Sequence, residues 1–133
     1  MDISSLLEIN PAHEFEVLHP QTGEGLSIFV SVQSVQSDAM KEVVRKTNDQ
    51  NIKMARKNKP LTTKMAEEQA IAHASAAIVS WRWENADLDI DGESNPPCSD
   101  KNKRKALEID WFFDQVQEQA SDLENFTKKP VKN

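Results

Sequence analysis

Asp87, Asp89 and Asp91, followed by Gly92, are the residues whose spacing comes nearest to doing chemistry. Carboxylates at alternate positions ahead of a glycine open a calcium loop, in which oxygen ligands wrap a hard cation and the glycine makes the sharp turn. The twelfth position of such a loop holds a bidentate glutamate, whereas here it is Cys98, preceded by Pro96 and Pro97. Without that ligand, and without an entering helix in phase, the segment reads as a solvated acidic turn. His13, His19, His73 and Cys98 are dispersed, with no zinc spacing. No Ser, Cys or Asp stands in a nucleophile motif, and three glycines are too few for a phosphate-cradling loop. The chain therefore reads as a non-enzyme with no catalytic, cofactor or metal site.

A second chemistry is phosphate contact. Residues 41–64 carry eight Lys and Arg against Glu42 and Asp49, while residues 1–40 have six acids and no Lys or Arg. From 65 to 100 eight acids face Arg82 alone. The basic run Lys53 to Lys64 lacks interleaved aromatics and any recognition module, so it reads first as a solvated bend between helices. A small nucleic-acid-binding regulator using segment 53–64 is the alternative function it leaves open. The net charge of −6 disfavours nucleic acid as a partner of the whole molecule. Complementary acidic and basic blocks suit contacts within a subunit or between subunits.

The third group is aromatic. All three tryptophans lie between Thr62 and Phe126. Trp83 and Phe113 fall on the main apolar stripes and read as core. Trp81, Trp111 and Phe112 fall off them, which makes them candidate protein-interaction residues, since buried aromatic anchors dominate interface energies. Each taken singly also fits a core.

The elements that must position these groups follow from periodicity. Phe15 and Val17 alternate with polar residues, a Pro/Gly turn follows, and Leu26, Ile28, Val30 and Val32 alternate again, which predicts a β-hairpin. A helix is predicted from Ser37 or Asp38 to about Lys57, with Met40, Val43, Val44 and Thr47 on one side. Asn58-Lys59-Pro60 stops it, and Thr62 or Thr63 caps a second, alanine-rich helix running to Trp83. Glu84 to Asp100 reads as a loop. A last helix starts near Ser99 or Asp100, with Ala106, Ile109, Phe113, Val116, Ala120 and Leu123 on its stripe.

The predicted fold is mainly α, three to four helices around a single core with a short N-terminal β-hairpin. Residues 1–13 are predicted as a flexible tether, 14–126 as the single helical domain and 127–133 as a disordered tail. A chain of 133 residues suits one core. One cysteine, Cys98, and no secretory segment point to a reducing cytosol. No apolar run is long enough to span a bilayer, so no membrane role is predicted.

The order of these features carries a resemblance. The Pro20-Gln21-Thr22-Gly23 turn, Trp83 leading into an acidic segment that ends Asp91-Gly92, the cap at Cys98-Ser99-Asp100, Leu107 and Val116 on a helix, and Asp122-Leu123-Glu124-Asn125-Phe126 together resemble the tail assembly chaperones of long-tailed double-stranded DNA bacteriophages. The resemblance covers roughly residues 14–127, and it departs from the family at the unusually basic Lys101 to Lys105. It implies a non-virion factor in the cytoplasm of the infected bacterial host that binds and solubilises the tape measure protein and promotes polymerisation of the tail tube. It also implies recruitment of the tail tube protein by a frameshift-extended form joined after Phe126. Self-association into oligomers would give a long helical client a repeated surface.

Overall fold

The computed structural model describes residues 12–127. The predicted tether up to residue 11 and the predicted tail from residue 128 lie outside them.

Strand β1 (His13–Leu18) and strand β2 (Gly25–Val32) form the hairpin that the alternation predicts, with Phe15 opposite Val30. The strand begins at His13, inside the segment read as tether. Helix α1 (Asp38–Arg56) starts where the Ser37 hydroxyl accepts from the Met40 N–H at 3.2 Å. Helix α2 (Thr63–Ala77) is capped in the same way, with Thr62 accepting from Met65 at 3.2 Å. These hydroxyls satisfy N–H groups that the first helical turn leaves open.

At Ala77 the chain departs from the sequence reading. The helix predicted to reach Trp83 stops, and Ile78–Trp83 forms strand β3, antiparallel to β2 with Val30 opposite Trp81 and Ile28 opposite Trp83. The segment Ile-Val-Ser-Trp-Arg-Trp is β-branched and aromatic, with Trp81 and Trp83 on the core face and Ser80 and Arg82 exposed on the other. That composition favours a pleated, half-buried surface over a helix. No glycine ends α2. Its last carbonyls are instead bound by donors distant in sequence: Lys103 Nζ donates to Ser75 O at 3.2 Å and Ile78 O at 3.3 Å, and Gln33 donates from Nε2 to Ala76 O at 3.0 Å and from its backbone N–H to Ala77 O at 2.8 Å. Donors so placed let a helix pass directly into a strand without unsatisfied carbonyls.

The predicted last helix is also divided. Helix α3 (Asp100–Leu107) and helix α4 (Asp110–Ser121) are separated at Glu108-Ile109, and a 3-10 turn (Leu123–Asn125) closes the described chain. The break changes the phase of the buried face. Phe112, Val116 and Ala120, spaced four apart, are buried, whereas Ile109 is 45 % exposed and Phe113 is only partly buried.

The described residues thus form four helices and a three-stranded antiparallel sheet of order β1-β2-β3. This corrects the mainly α prediction to a mixed α and β fold, because β3 converts the hairpin into a sheet. Phe15, Val17, Ile28, Val30, Val32 and Ile78 on one face of that sheet meet Leu107, Phe112, Val116 and Phe126. Each such side chain contributes roughly 1.5–3 kcal/mol on burial. On the opposite face Arg82 bonds Glu14 at 3.1 Å and lies 4.2 Å over the Phe29 ring, so that face is polar. No helix among the described residues is long and apolar enough to cross a membrane.

Candidate protein-interaction surfaces

The three aromatic candidates come together, but not in one role. Trp81, on β3, is half-buried; its ring meets Trp83 edge-on at 5.6 Å and Phe112 at 6.3 Å, and its Nε1–H donates to Pro96 O at 2.9 Å. Trp111, in the first turn of α4, is half-buried with its ring 6.3 Å from Phe112. Phe112 itself is 2 % exposed. It is a core residue with no surface to offer a partner, because the break before α4 turns it inward. Trp83 packs beside them, and its Nε1–H is buried with no acceptor among the described residues.

Trp83 and Trp111 line a cleft of about 400 Å³ between the loop after β3 and the α3–α4 junction. Leu88 and Ile90 form its loop side and Ile109 its helical side. Asp89, Asp91 and Glu108 border it, with Lys105 as the one cation among the lining residues. Lys105 is bonded to Asp91, and that contact, first through the hydrogen bond and then through charge, holds the Asp91 carboxyl below the usual aspartate range. Asp89 and Glu108 at the rim have no ion-pair partner among the described residues.

The acidic turn is built from its own groups. Asp91 and Gly92 take positive φ of 52° and 86°, Ile90 and Glu93 exchange backbone bonds at 3.0 Å, and Asp89 Oδ1 accepts from Gly92 N–H at 3.0 Å. Gly92 tolerates that conformation because it has no Cβ. Among the described residues no three His, Cys, Asp or Glu side chains converge as metal ligands.

The second surface is an arm. Met40 is the one buried residue of the 19 in α1, and the helix meets α2 through Thr47 and Asn51, with Val43 and Met54 also half-buried. The seam is largely polar: Thr47 Oγ1 lies 2.9 Å from His73 Nε2, and Asn51 and Gln69 exchange two amide bonds at 3.2 and 2.7 Å. Val44 and Ile52 stay 37 % and 51 % exposed. Arg45 is paired with Glu42 at 2.5 Å and Asp49 at 3.3 Å. The basic segment 53–64 forms the far end of the arm, where Lys53, Arg56, Lys57, Lys59 and Lys64 have no carboxylate in ion-pair range among the described residues. Leu61 stands 46 % exposed in its turn.

The remaining polar candidates serve the fold. His19 Nδ1 accepts from Gln21 and Thr22 N–H groups in the hairpin turn, at 3.1 and 3.3 Å. His13 packs edge-on to Phe126. Cys98 is half-buried, and burial pushes its thiol up. From the sequence Leu61 reads as a hydrophobic staple on Ala66 and Ile109 as core, whereas both stand exposed, at 46 % and 45 %. The basic run Lys101 to Lys105 has a structural explanation, since Lys103 ends α2 and Lys105 ties down the acidic turn.

Comparison with known proteins finds no protein family, no curated protein and no solved structure that matches the chain.

Proposed function

We propose that this chain is a phage tail assembly chaperone, a factor that binds and solubilises the tape measure protein in the cytoplasm of the infected host, promotes tail tube polymerisation and stays out of the mature virion. Recruitment of the tail tube protein through a longer, frameshifted form belongs to the same proposal. The order of features from the hairpin to Phe126 suggests the family. The observation that supports a client-binding role is α1: a 19-residue helix with one buried side chain, which leaves Val44 and Ile52 bare on an arm.

A helix in a small domain normally gains its stability by burying an apolar face. Here α1 is held to α2 by a largely polar seam and leaves Val44 and Ile52 for another helix to cover. Helix-on-helix docking through residues three, four and seven apart is a mode suited to a long amphipathic client.

The test is co-expression with the long coiled-coil protein encoded beside it in the phage genome. Soluble co-purification is the expected result, weakened by Val44→Asp with Ile52→Asp. If the client stays insoluble and unbound with the parent chain, the proposal fails.

A further inference from the structure

We propose that the turn at the end of the α1–α2 arm, Lys57 to Lys64, inserts Leu61 into the Trp83–Trp111 cleft of a second copy of this chain. The inference goes beyond the client-binding role and does not depend on it.

Two features of the molecule are complementary in shape and in charge. The arm ends in an exposed leucine held between Lys59-Pro60 and Lys64, with five Lys and Arg side chains of the arm end unpaired among the described residues. The cleft is walled by indoles and aliphatic side chains, has room for a leucyl side chain with its backbone, and carries at its rim Asp89 and Glu108, which have no ion pair among the described residues. Ile109 stands at that rim 45 % exposed, although it begins a helix where a polar residue would serve better. An apolar plug inside a basic collar fits an apolar slot inside an acidic collar, and opposite potentials select partner and register.

The two surfaces are different patches of one chain, so the contact is heterologous. Each association leaves one free arm and one free cleft, which generates a ring if the rotation closes and an open spiral if it does not. In such an array the bare α1 faces recur at a fixed spacing. A single leucine anchor makes each contact weak and salt-sensitive.

The test is sedimentation velocity on the full chain alone, without any client, over a wide concentration range. The expected result is a mass that rises with concentration and an association weakened about tenfold when ionic strength rises from low to well above physiological. Leu61→Asp and Ile109→Asp should each give monomers. Mixed in equal amounts they should form a dimer and nothing larger, because the intact arm of one meets the intact cleft of the other. Circular dichroism checks folding, and Lys59→Glu with Lys64→Glu against Glu108→Lys repeats the experiment through charge if Ile109→Asp does not fold.

A chain monomeric at every concentration overturns the proposal, as does a mixture that stays monomeric. Ile71→Asp tests the neighbouring acidic groove between α2 and α4, lined by Glu67, Ile71, Asp110 and Phe113. Loss of association there, with Ile109→Asp still associating, would equally overturn it.

Discussion

Gln115 closes the end of β1 with its side-chain amide: Oε1 accepts from the Leu18 N–H at 2.8 Å and Nε2 donates to the Leu18 carbonyl at 2.8 Å. One side chain of α4 thus does what a neighbouring strand would do for that residue. A free strand edge is a template for pairing with other chains, and proteins block it by covering it. Gln115→Ala is predicted to cost about 1 kcal/mol, because the groups are exposed and water replaces the amide. Hydrogen exchange at the Leu18 amide should accelerate well beyond the global change. Unchanged exchange there would remove the edge-closing role.

Lys103 carries a larger prediction. Its ammonium is the donor for Ser75 and Ile78 carbonyls at the end of α2, and its side chain is 13 % exposed. Lys103→Met keeps the aliphatic stem but removes a charged donor from both carbonyls, of which Ser75 O retains the Ile78 N–H, at a predicted cost of about 1–3 kcal/mol. The exposed neighbour Lys101→Met should be nearly neutral. Urea midpoints of the two variants measure the difference, and equal midpoints would refute the capping account.

These two contacts also show where the sequence stopped being readable. The hairpin was legible because Phe15, Val17, Ile28, Val30 and Val32 keep period two, and Ser37, Thr62 and Ser99 mark helix starts with local hydroxyls. The end of α2 carried no local sign. Its carbonyls are satisfied by Lys103 and Gln33, which are distant in sequence, so Ile78 to Trp83 passed as further helix. The break at Glu108-Ile109 was hidden for a related reason: Ile109 begins α4 with no side-chain cap, and the three-and-four spacing runs through it. Of the surfaces, the aromatic cluster was legible, but Phe112 could be assigned to the core only once the phase of α4 was known.

Trp81 and Trp83 separate packing from hydrogen bonding. Trp81→Phe loses ring area and also strands the Pro96 carbonyl that its indole serves at 2.9 Å. Trp83→Phe loses similar area but removes a buried N–H that has no acceptor among the described residues. Trp83→Phe is therefore predicted to be the milder change, by about 1 kcal/mol. Thermal unfolding of both variants tests this; the reverse order would mean that Trp83 packs more tightly than its hydrogen bonding indicates.

The acidic turn should loosen at low pH. Its Asp91 carboxyl is held down by Lys105, so its contribution is present above the ordinary aspartate value of about 3.9 and is lost as pH falls through the lower folded value. Protonation frees Lys105 and the turn bordering the cleft. The Lys105 side-chain signals should follow this acid transition in the parent, and the shift should be much reduced in Asp91→Asn. A transition that survives in Asp91→Asn belongs to another carboxylate.

Ile109 sets stability against association. It occupies the N-cap of α4 with φ −85° and ψ 115°, the extended geometry of a cap, yet its side chain makes no capping bond. It is also 45 % exposed, so little burial is lost by replacing it. A polar cap is worth about 1 kcal/mol over an aliphatic residue at such a position. Ile109→Ser is therefore predicted to raise stability by about that amount, partly offset by the packing it loses against the cleft. Aspartate at the same position adds a favourable charge at the helix start. A residue that could stabilise its own helix by becoming polar, and is instead an isoleucine beside two indoles, is placed for contact. The prediction is that Ile109→Ser and Ile109→Asp unfold at higher denaturant than the parent while losing concentration-dependent association. Variants that gain stability and still associate would show that Ile109 has no part in the contact.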